Sequence, residues 1–450
     1  MAVVSGTAVA EVPAGATAPV PPETPPEYDP FAGIDQDGRI PQVVRPTEMK
    51  HPERWRYIPE GRIKPGNLFE RFLVSSFIAP FVAQDKDVGT SFGLAITDID
   101  FRQQRRREFI GAFLSYSTEG EQSYSMVWQR WLNHLEREGG GVFQEERSRV
   151  RVKGGYERAR TLRFFGFGPD SKESDESSYT DARYEIDVAM EVSWPDPGDD
   201  MILTGGLRAD FHRLDTGKVD SDKANGVPST DIAFPQEFQE ANRSNLGWMY
   251  WGARYDTRDS QANPYRGWMV GTLVEAALLQ NRGDIGVRYS NFGRAVIPVP
   301  GLLHRGGVGN EEHPPTDTFA LALDVDLSSG ELPFFWRPSL GGNSRMRGFI
   351  ANRFTGDSLW WGAAEYRFWV LSRGFPIPFT RALRVERVGL APWYEIGAVA
   401  DGGRELFHAK LQHSYGIGLR LTLERQAPFR VDVGFSKEDV IITARFGLPF

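Results

Sequence analysis

The sequence predicts an all-β chain, a transmembrane antiparallel β-barrel of about sixteen strands. Three observations carry this expectation. The stretch from Asp439 to Phe450 places Val440, Ile442, Ala444, Phe446, Leu448 and Phe450 on one face of an extended strand, and Asp439, Thr443, Arg445 and Gly447 on the other. An apolar row ending in an aromatic, backed by a polar row, suits lipid outside and water inside rather than a second packed layer. The same two-residue period recurs along the chain. Tyr184, Ile186, Val188, Met190, Val192 and Trp194 alternate with Arg183, Glu185, Asp187, Glu191 and Ser193, and Phe319, Leu321, Leu323, Val325 and Leu327 alternate with Asp324 and Asp326. Finally, no window approaches the roughly 18 to 20 apolar residues of a spanning helix, which excludes a helical membrane protein.

Residues 1–10, MAVVSGTAVA, close on Ala8-Val9-Ala10, the A-x-A form of a signal-peptidase site. They lack a basic start and a full apolar core, so they read as the remnant of a signal peptide. Residues 11–67 hold Pro13, Pro19, Pro21, Pro22, Pro25, Pro26 and Pro30 among small and acidic residues, and are expected to be a disordered periplasmic leader. The barrel is expected over 68–450. Strands are placed near 68–81, 88–100, 106–118, 123–136, 142–165, 178–195, 201–213, 246–257, 266–280, 282–292, 317–328, 356–371, 388–400, 412–424, 428–436 and 438–449. Alternation breaks within 123–168, which has room for one strand more. The connection at 426–428 is tight and those at 214–244 and 328–355 are long and polar, the asymmetry of short periplasmic turns and long outer loops.

A soluble β-sandwich would need Arg183, Glu185 and Asp187 as its outer face. Strands of roughly nine to twelve residues match a tilted bilayer crossing better than the usual five or six of globular sheets. The chain has no Cys, hence no disulfide, thiolate metal site or Cys nucleophile. A net charge of −8 argues against a nucleic-acid partner. No cofactor and no metal site is expected; the expected surroundings are the lipid bilayer.

Two motifs go beyond architecture. Leu340-Gly-Gly-Asn-Ser-Arg-Met-Arg-Gly-Phe349 lies in the long connection before the strand carrying Glu365. Tyr255-Asp-Thr-Arg-Asp-Ser-Gln-Ala-Asn-Pro-Tyr-Arg-Gly267 combines Asp256, Arg258 and Asp259 at a strand end with Pro264 and Gly267 at a turn. The first resembles the arginine-glycine-aromatic loop motif of the BamA/TamA superfamily of outer-membrane insertases and translocases, the bacterial surface antigen family. The second resembles that family's Asp-x-Arg-Asp strand end. Their order, their spacing and the strands that follow make the match specific, and it covers about 68 to 450. Arg163-Phe-Phe-Gly-Phe-Gly168 resembles a phenylalanine-glycine segment of shorter members.

The resemblance implies that the long extracellular loop, with Arg345, Arg347, Gly348 and Phe349, folds inward. Arg347 would then dock on acidic residues of the inner wall. Glu365 matches the first, and Glu395, in Trp393-Tyr-Glu-Ile-Gly397, stands where the family has an aspartate one methylene shorter. A long loop in a wide lumen loses entropy when ordered, and a bidentate guanidinium–carboxylate contact would hold it with direction as well as charge. Asp256, Arg258 and Asp259 are otherwise read as a solvated strand-end charge cluster.

The resemblance also implies a bacterial outer-membrane location and a non-enzymatic role in inserting or exporting protein, or lipid, with a separate periplasmic protein partner. The best-known members receive substrates through POTRA domains, where this chain has a Pro-rich leader. A loop-plugged passive pore or a membrane anchor is the alternative. A more remote one is an outer-membrane hydrolase, for which Asp210 and His212 are two apart on a lumen-facing row. Gly89-Thr-Ser91-Phe-Gly93 has the G-x-S-x-G form but is flanked by strand rather than a strand-to-helix turn. The first and last strands are expected to meet in a weaker seam, since Pro80, Gly447 and Pro449 offer few ladder bonds.

Overall fold

In the computed structural model, residues 28–29, 31–47, 49–63, 77–85, 88–98, 100–219, 226–377, 384–423 and 427–450 are described. The signal-peptide reading of 1–10, residues 11–27 and 64–67 of the leader, and 68–76 of the first expected strand lie outside them. The chain forms a closed barrel. Its long strands are β1 (Phe77–Asp85), β2 (Gly89–Asp98), β3 (Glu108–Ser117), β4 (Gln122–Trp131), β5 (Arg149–Phe164), β6 (Ser177–Trp194), β7 (Met201–Thr216), β8 (Asn245–Asp256), β9 (Gly267–Gln280), β10 (Gly286–Val299), β11 (Asp317–Gly330), β12 (Ser358–Leu371), β13 (Arg384–Ala400), β14 (Gln412–Leu423), β15 (Ala427–Phe435) and β16 (Val440–Phe446). Each pairs antiparallel with the next, as in β6–β7 from Trp194↔Met201 to Tyr179↔Thr216. Closure follows from lipid, which offers an unpaired edge no hydrogen bonds.

The period-two rows sort as the sequence requires. Tyr184, Ile186, Val188, Met190 and Trp194 face outward, while Asp187 is buried toward the lumen. Along one level of the outer surface the register aligns Tyr124 with Tyr156, Tyr156 with Tyr184, and Tyr184 with Phe211. Ten residues along β6 lies Trp194, level with Met201 and so with Tyr255, which packs on Trp268. Two aromatic rows separated by ten tilted residues bound an apolar band of about 25 Å. Among the described residues no helix is long and apolar enough to cross a membrane.

Two expectations are corrected. The chain does not continue as a lipid-facing strand to Phe450. Phe446 and Ile442 do face outward, but Gly447, at φ 90°, donates its N–H to the carbonyl of Pro428 and turns the chain. Phe450 thereby enters the lumen, where its ring lies 5.8 Å from that of Trp361 and its main-chain oxygen accepts from Arg367 at 3.0 Å.

The second correction concerns the leader. Trp55–Ile58 forms a three-stranded sheet with Val142–Glu145 and His134–Glu136, outside the barrel wall. This absorbs the broken alternation of 123–168. Glu60 pairs with Arg105 after β2, Arg54 with Asp200 after β6, and Arg45 with Glu312 after β10. The N–H of Glu312 donates to the carbonyl of Ile40 at 2.7 Å. β2 and β10 stand eight strands apart, half the circumference, so the segment crosses the periplasmic mouth as a strap about 30 Å long. Pro-rich composition hid it, because its order comes from ion pairs and ladder bonds to distant turns rather than from its own core.

The band predicts depth-dependent tolerance. Val188→Arg, midway between the aromatic rows, is expected to lower unfolding stability in liposomes by about 2–4 kcal/mol, and Gln122→Arg, beyond Tyr124, by about 0–1 kcal/mol. Equal losses in denaturant titrations would contradict this placement of the bilayer.

Candidate functional site

The loop between β11 and β12 is a compact tongue. Ser339–Leu340 pairs with Phe354–Thr355 at its base, and its tip is folded by main-chain bonds from Gly342 to Phe349 at 2.9 Å and from Phe349 to Met346 at 2.9 Å. Leu340, Met346, Phe349 and Phe354 form one apolar cluster with Leu359, Trp361, Ala363 and Val399 of the wall. This buried area, rather than charge, supplies the non-directional share of docking.

Arg347 supplies direction. Its side chain is fully buried. Its Nε donates to Glu395 Oε1 at 2.8 Å and its main-chain N–H to Oε2 of the same carboxylate at 2.7 Å. One terminal nitrogen donates to Glu365 at 3.0 Å and to Asp432 at 3.3 Å. The guanidinium lies 3.9 Å above the ring of Trp393, a cation–π contact in a dry setting. The extra methylene of Glu395 lets one carboxylate span the main-chain and side-chain donors of the same arginine. Main chain meets main chain at the next residue: a Cβ on Gly348 would stand 2.4 Å from the Phe435 carbonyl, and one on Gly434 the same distance from the Arg347 carbonyl. Neither position has room for a side chain.

Arg345 bridges Asp324 at 2.9 Å and Asp326 at 2.6 Å on β11. Several partners were not singled out in the sequence. Arg420 binds Glu365 and Asp432, each at 2.9 Å, Arg430 binds Asp432 at 2.6 Å, and Arg367 binds Glu365 at 2.8 Å. Four guanidinium groups therefore share three carboxylates. Arg353 was also missed. It grips Glu438 at 2.6 Å and Ser171 at 3.2 Å, between the rings of Phe165 and Phe354. The phenylalanine-glycine segment thus serves the tongue: Gly168 donates to the carbonyl of Thr355 at 2.8 Å.

The Asp256 motif lies at the opposite mouth, apart from the tongue. Arg258 forms a fork on Asp256 at 2.9 and 3.0 Å, and buried Arg147 donates to the carbonyls of Asp256 and Arg258, each at 2.6 Å. Asp256 is fully buried, so the solvated strand-end reading fails. Asp259 accepts the N–H of Tyr265 at 3.0 Å, and burial raises its carboxyl above the usual carboxylate range against that bond. Pro264 is buried, and Gly267 sits at φ 102°, where a Cβ would meet Thr257 O at 2.7 Å. The motif builds a periplasmic turn and, through Arg147, ties it to the sheet under the strap.

The hydrolase alternative finds a different pairing from the one the spacing suggests. His212 Nδ1 bonds Asp181 at 2.8 Å, whereas Asp210 pairs with Arg208 at 3.1 Å. The His212 ring packs on Phe335, 4.5 Å away. Ser91 lies within β2. Among the described residues no cluster of His, Asp or Glu is placed to hold a metal.

Removing Arg347 leaves Glu365 with Arg367 and Arg420, and Asp432 with Arg420 and Arg430, but leaves Glu395 only the Ser414 hydroxyl among side chains, at 3.1 Å. Arg347→Ala is expected to cost about 3–5 kcal/mol and to expose 330–355 to protease, because a buried carboxylate loses its partner. Adding Glu395→Gln should recover some of that loss. If the double variant unfolds as easily as the single, the cost does not reside in Glu395.

Three comparisons bear on these features. Residues 108–448 match the model of the Omp85 superfamily domain. None of the curated proteins matches the chain in sequence. Among solved structures, CdiB from Escherichia coli aligns at 11% identity and a TM-score of 0.51, over 83% of this chain and 61% of that one. BamA from Haemophilus ducreyi lacking POTRA domains 1–3 aligns at 12% identity and 0.47, over 83% of this chain and 69% of that one. The likeness to CdiB concerns the fold alone. The family match spans most of the sequence and includes both motifs, and the chain accordingly belongs to the Omp85 superfamily of bacterial outer-membrane β-barrel proteins.

Proposed function

We propose that this barrel assists the insertion or export of protein, or of lipid, at the outer membrane together with a separate periplasmic protein partner. The supporting observation is that obstacles stand at both ends of the lumen. The tongue enters from outside and is held by Arg347, and the strap crosses the periplasmic mouth from Glu60 to Ile40. An axial path must pass both of them. A path through the wall requires only that a pair of adjacent strands separate, and β16, with seven residues, is the shortest long strand of the barrel among the described residues. It can offer β1 no more than seven residues of ladder, where β12 and β13 share eleven registered pairs. β1 also contains Pro80, which has no N–H to donate.

The same obstacles would serve a plugged pore or an anchor, and the experiment is chosen to separate them. The chain has no native Cys, so single cysteines in 77–85 and 440–446 can be paired without interference. Proteoliposomes carrying the crosslinked barrel are expected to lose insertion of an unfolded outer-membrane barrel substrate under oxidation and to regain it on reduction. Activity that survives full crosslinking would remove the lateral route. A large steady conductance in planar bilayers by the unmodified protein would instead favour the pore.

A further inference from the structure

The outer surface holds a feature that neither the tongue nor the strap explains. Just beyond the aromatic row of Tyr124, Tyr156, Tyr184 and Phe211, on the side of the long loops, the next outward residues in register are Gln122, Arg158, Ala182 and Arg213. The row extends one strand further. His212 donates its N–H to the carbonyl of Ser244 at 2.8 Å, which brings exposed Arg243 beside Arg213. Among the described residues none of Arg158, Arg213 and Arg243 has an ion-pair partner, in a molecule whose lumenal arginines are almost all paired. Ala182, between the first two, leaves the gap unfilled. Asp215 lies two residues further out from Arg213 on the same face, and its Oδ1 accepts the N–H of Thr216.

We propose that Arg158, Arg213 and Arg243 form a binding site for the phosphate groups of a bis-phosphorylated glycolipid of the outer leaflet. Level and spacing argue for it. The aromatic row marks the edge of the hydrocarbon, and two more tilted residues raise the arginines about 5 Å, into the headgroup layer. Arginine stems are long enough to lie along the apolar surface while the guanidinium groups stay at the interface. Arg158 and Arg213 stand two strand spacings apart, about 10 Å, with Arg243 one spacing beyond. That spread is too wide for one phosphate and fits two phosphates at opposite ends of a disaccharide, each received by a planar fork. The site rests only on the placement of the barrel in the outer membrane and is independent of the proposed insertion role.

The test uses the full chain refolded in detergent without glycolipid, with bound lipid counted by native mass spectrometry. The probes are a bis-phosphorylated disaccharide lipid, its dephosphorylated form, and phosphatidylglycerol. The first should bind, and the other two should bind at least about tenfold more weakly. R158Q/R213Q should weaken the first about tenfold or more. R158K/R213K, which keeps the charge but loses the planar fork, should fall between the parent and R158Q/R213Q, and R266Q/R305Q, equal in charge change to R158Q/R213Q but on periplasmic turns, should bind as the parent does. All variants are compared only as heat-modifiable, folded barrels. Undiminished binding by R158Q/R213Q, an equal loss in R266Q/R305Q, or phosphatidylglycerol binding as tightly as the glycolipid would each overturn the proposal.

Discussion

A fully buried guanidinium among carboxylates is tolerable only if its hydrogen bonds are made, and this need organises the barrel's outer half. Arg347 meets Glu395 twice, Glu365 once and Asp432 once, on strands β12, β13 and β15. Because those carboxylates are also held by Arg367, Arg420 and Arg430, the tongue and four consecutive strands, β12 to β15, share one charge network. Displacing the tongue strands charge in a dry place, so partial withdrawal gains nothing. The apolar cluster around Met346 and Phe349 adds attraction without direction.

The periplasmic end is built on another scale. The pairs Arg45–Glu312, Lys50–Asp196 and Arg105–Glu60 all include a partly exposed side chain, and such contacts are each worth little. The strap depends instead on a short ladder and on Trp55 and Ile58, both buried. The two obstacles therefore differ in kind: one is cooperative and buried, the other a chain of weak, separable contacts.

Much of this was legible before any coordinates. Outside 123–168 the rows alternate with period two because lipid and water face each other across every strand, and that alternation survives in sequence without knowledge of the register. The inward path of Phe450 was not legible, since Gly447 looks the same in a strand end as in a turn until the carbonyl of Pro428 is placed beside it. Arg347, Glu365 and Glu395 came from the resemblance of their motifs. Asp432, Arg420 and Arg430 did not, because every lumen row carries charges and only the strand register selects which of them meet. The strap was hidden for a related reason: Trp55 pairs with Glu145 and Ile40 with Glu312, at separations that local composition cannot register.

The contact between Gly348 and Gly434 has a consequence for the order in which the molecule assembles. With the two main chains touching, the tip of the tongue cannot be threaded sideways beneath a finished β14–β15 hairpin without passing through the Phe435 carbonyl. A tip seated before the last three strands close over it meets no such obstacle. Closing the wall around it is a late, long-range event of the kind that makes folding slow. Substituting alanine at either glycine would then show itself twice, as delayed maturation of newly made barrels and as a displaced tip in the finished ones.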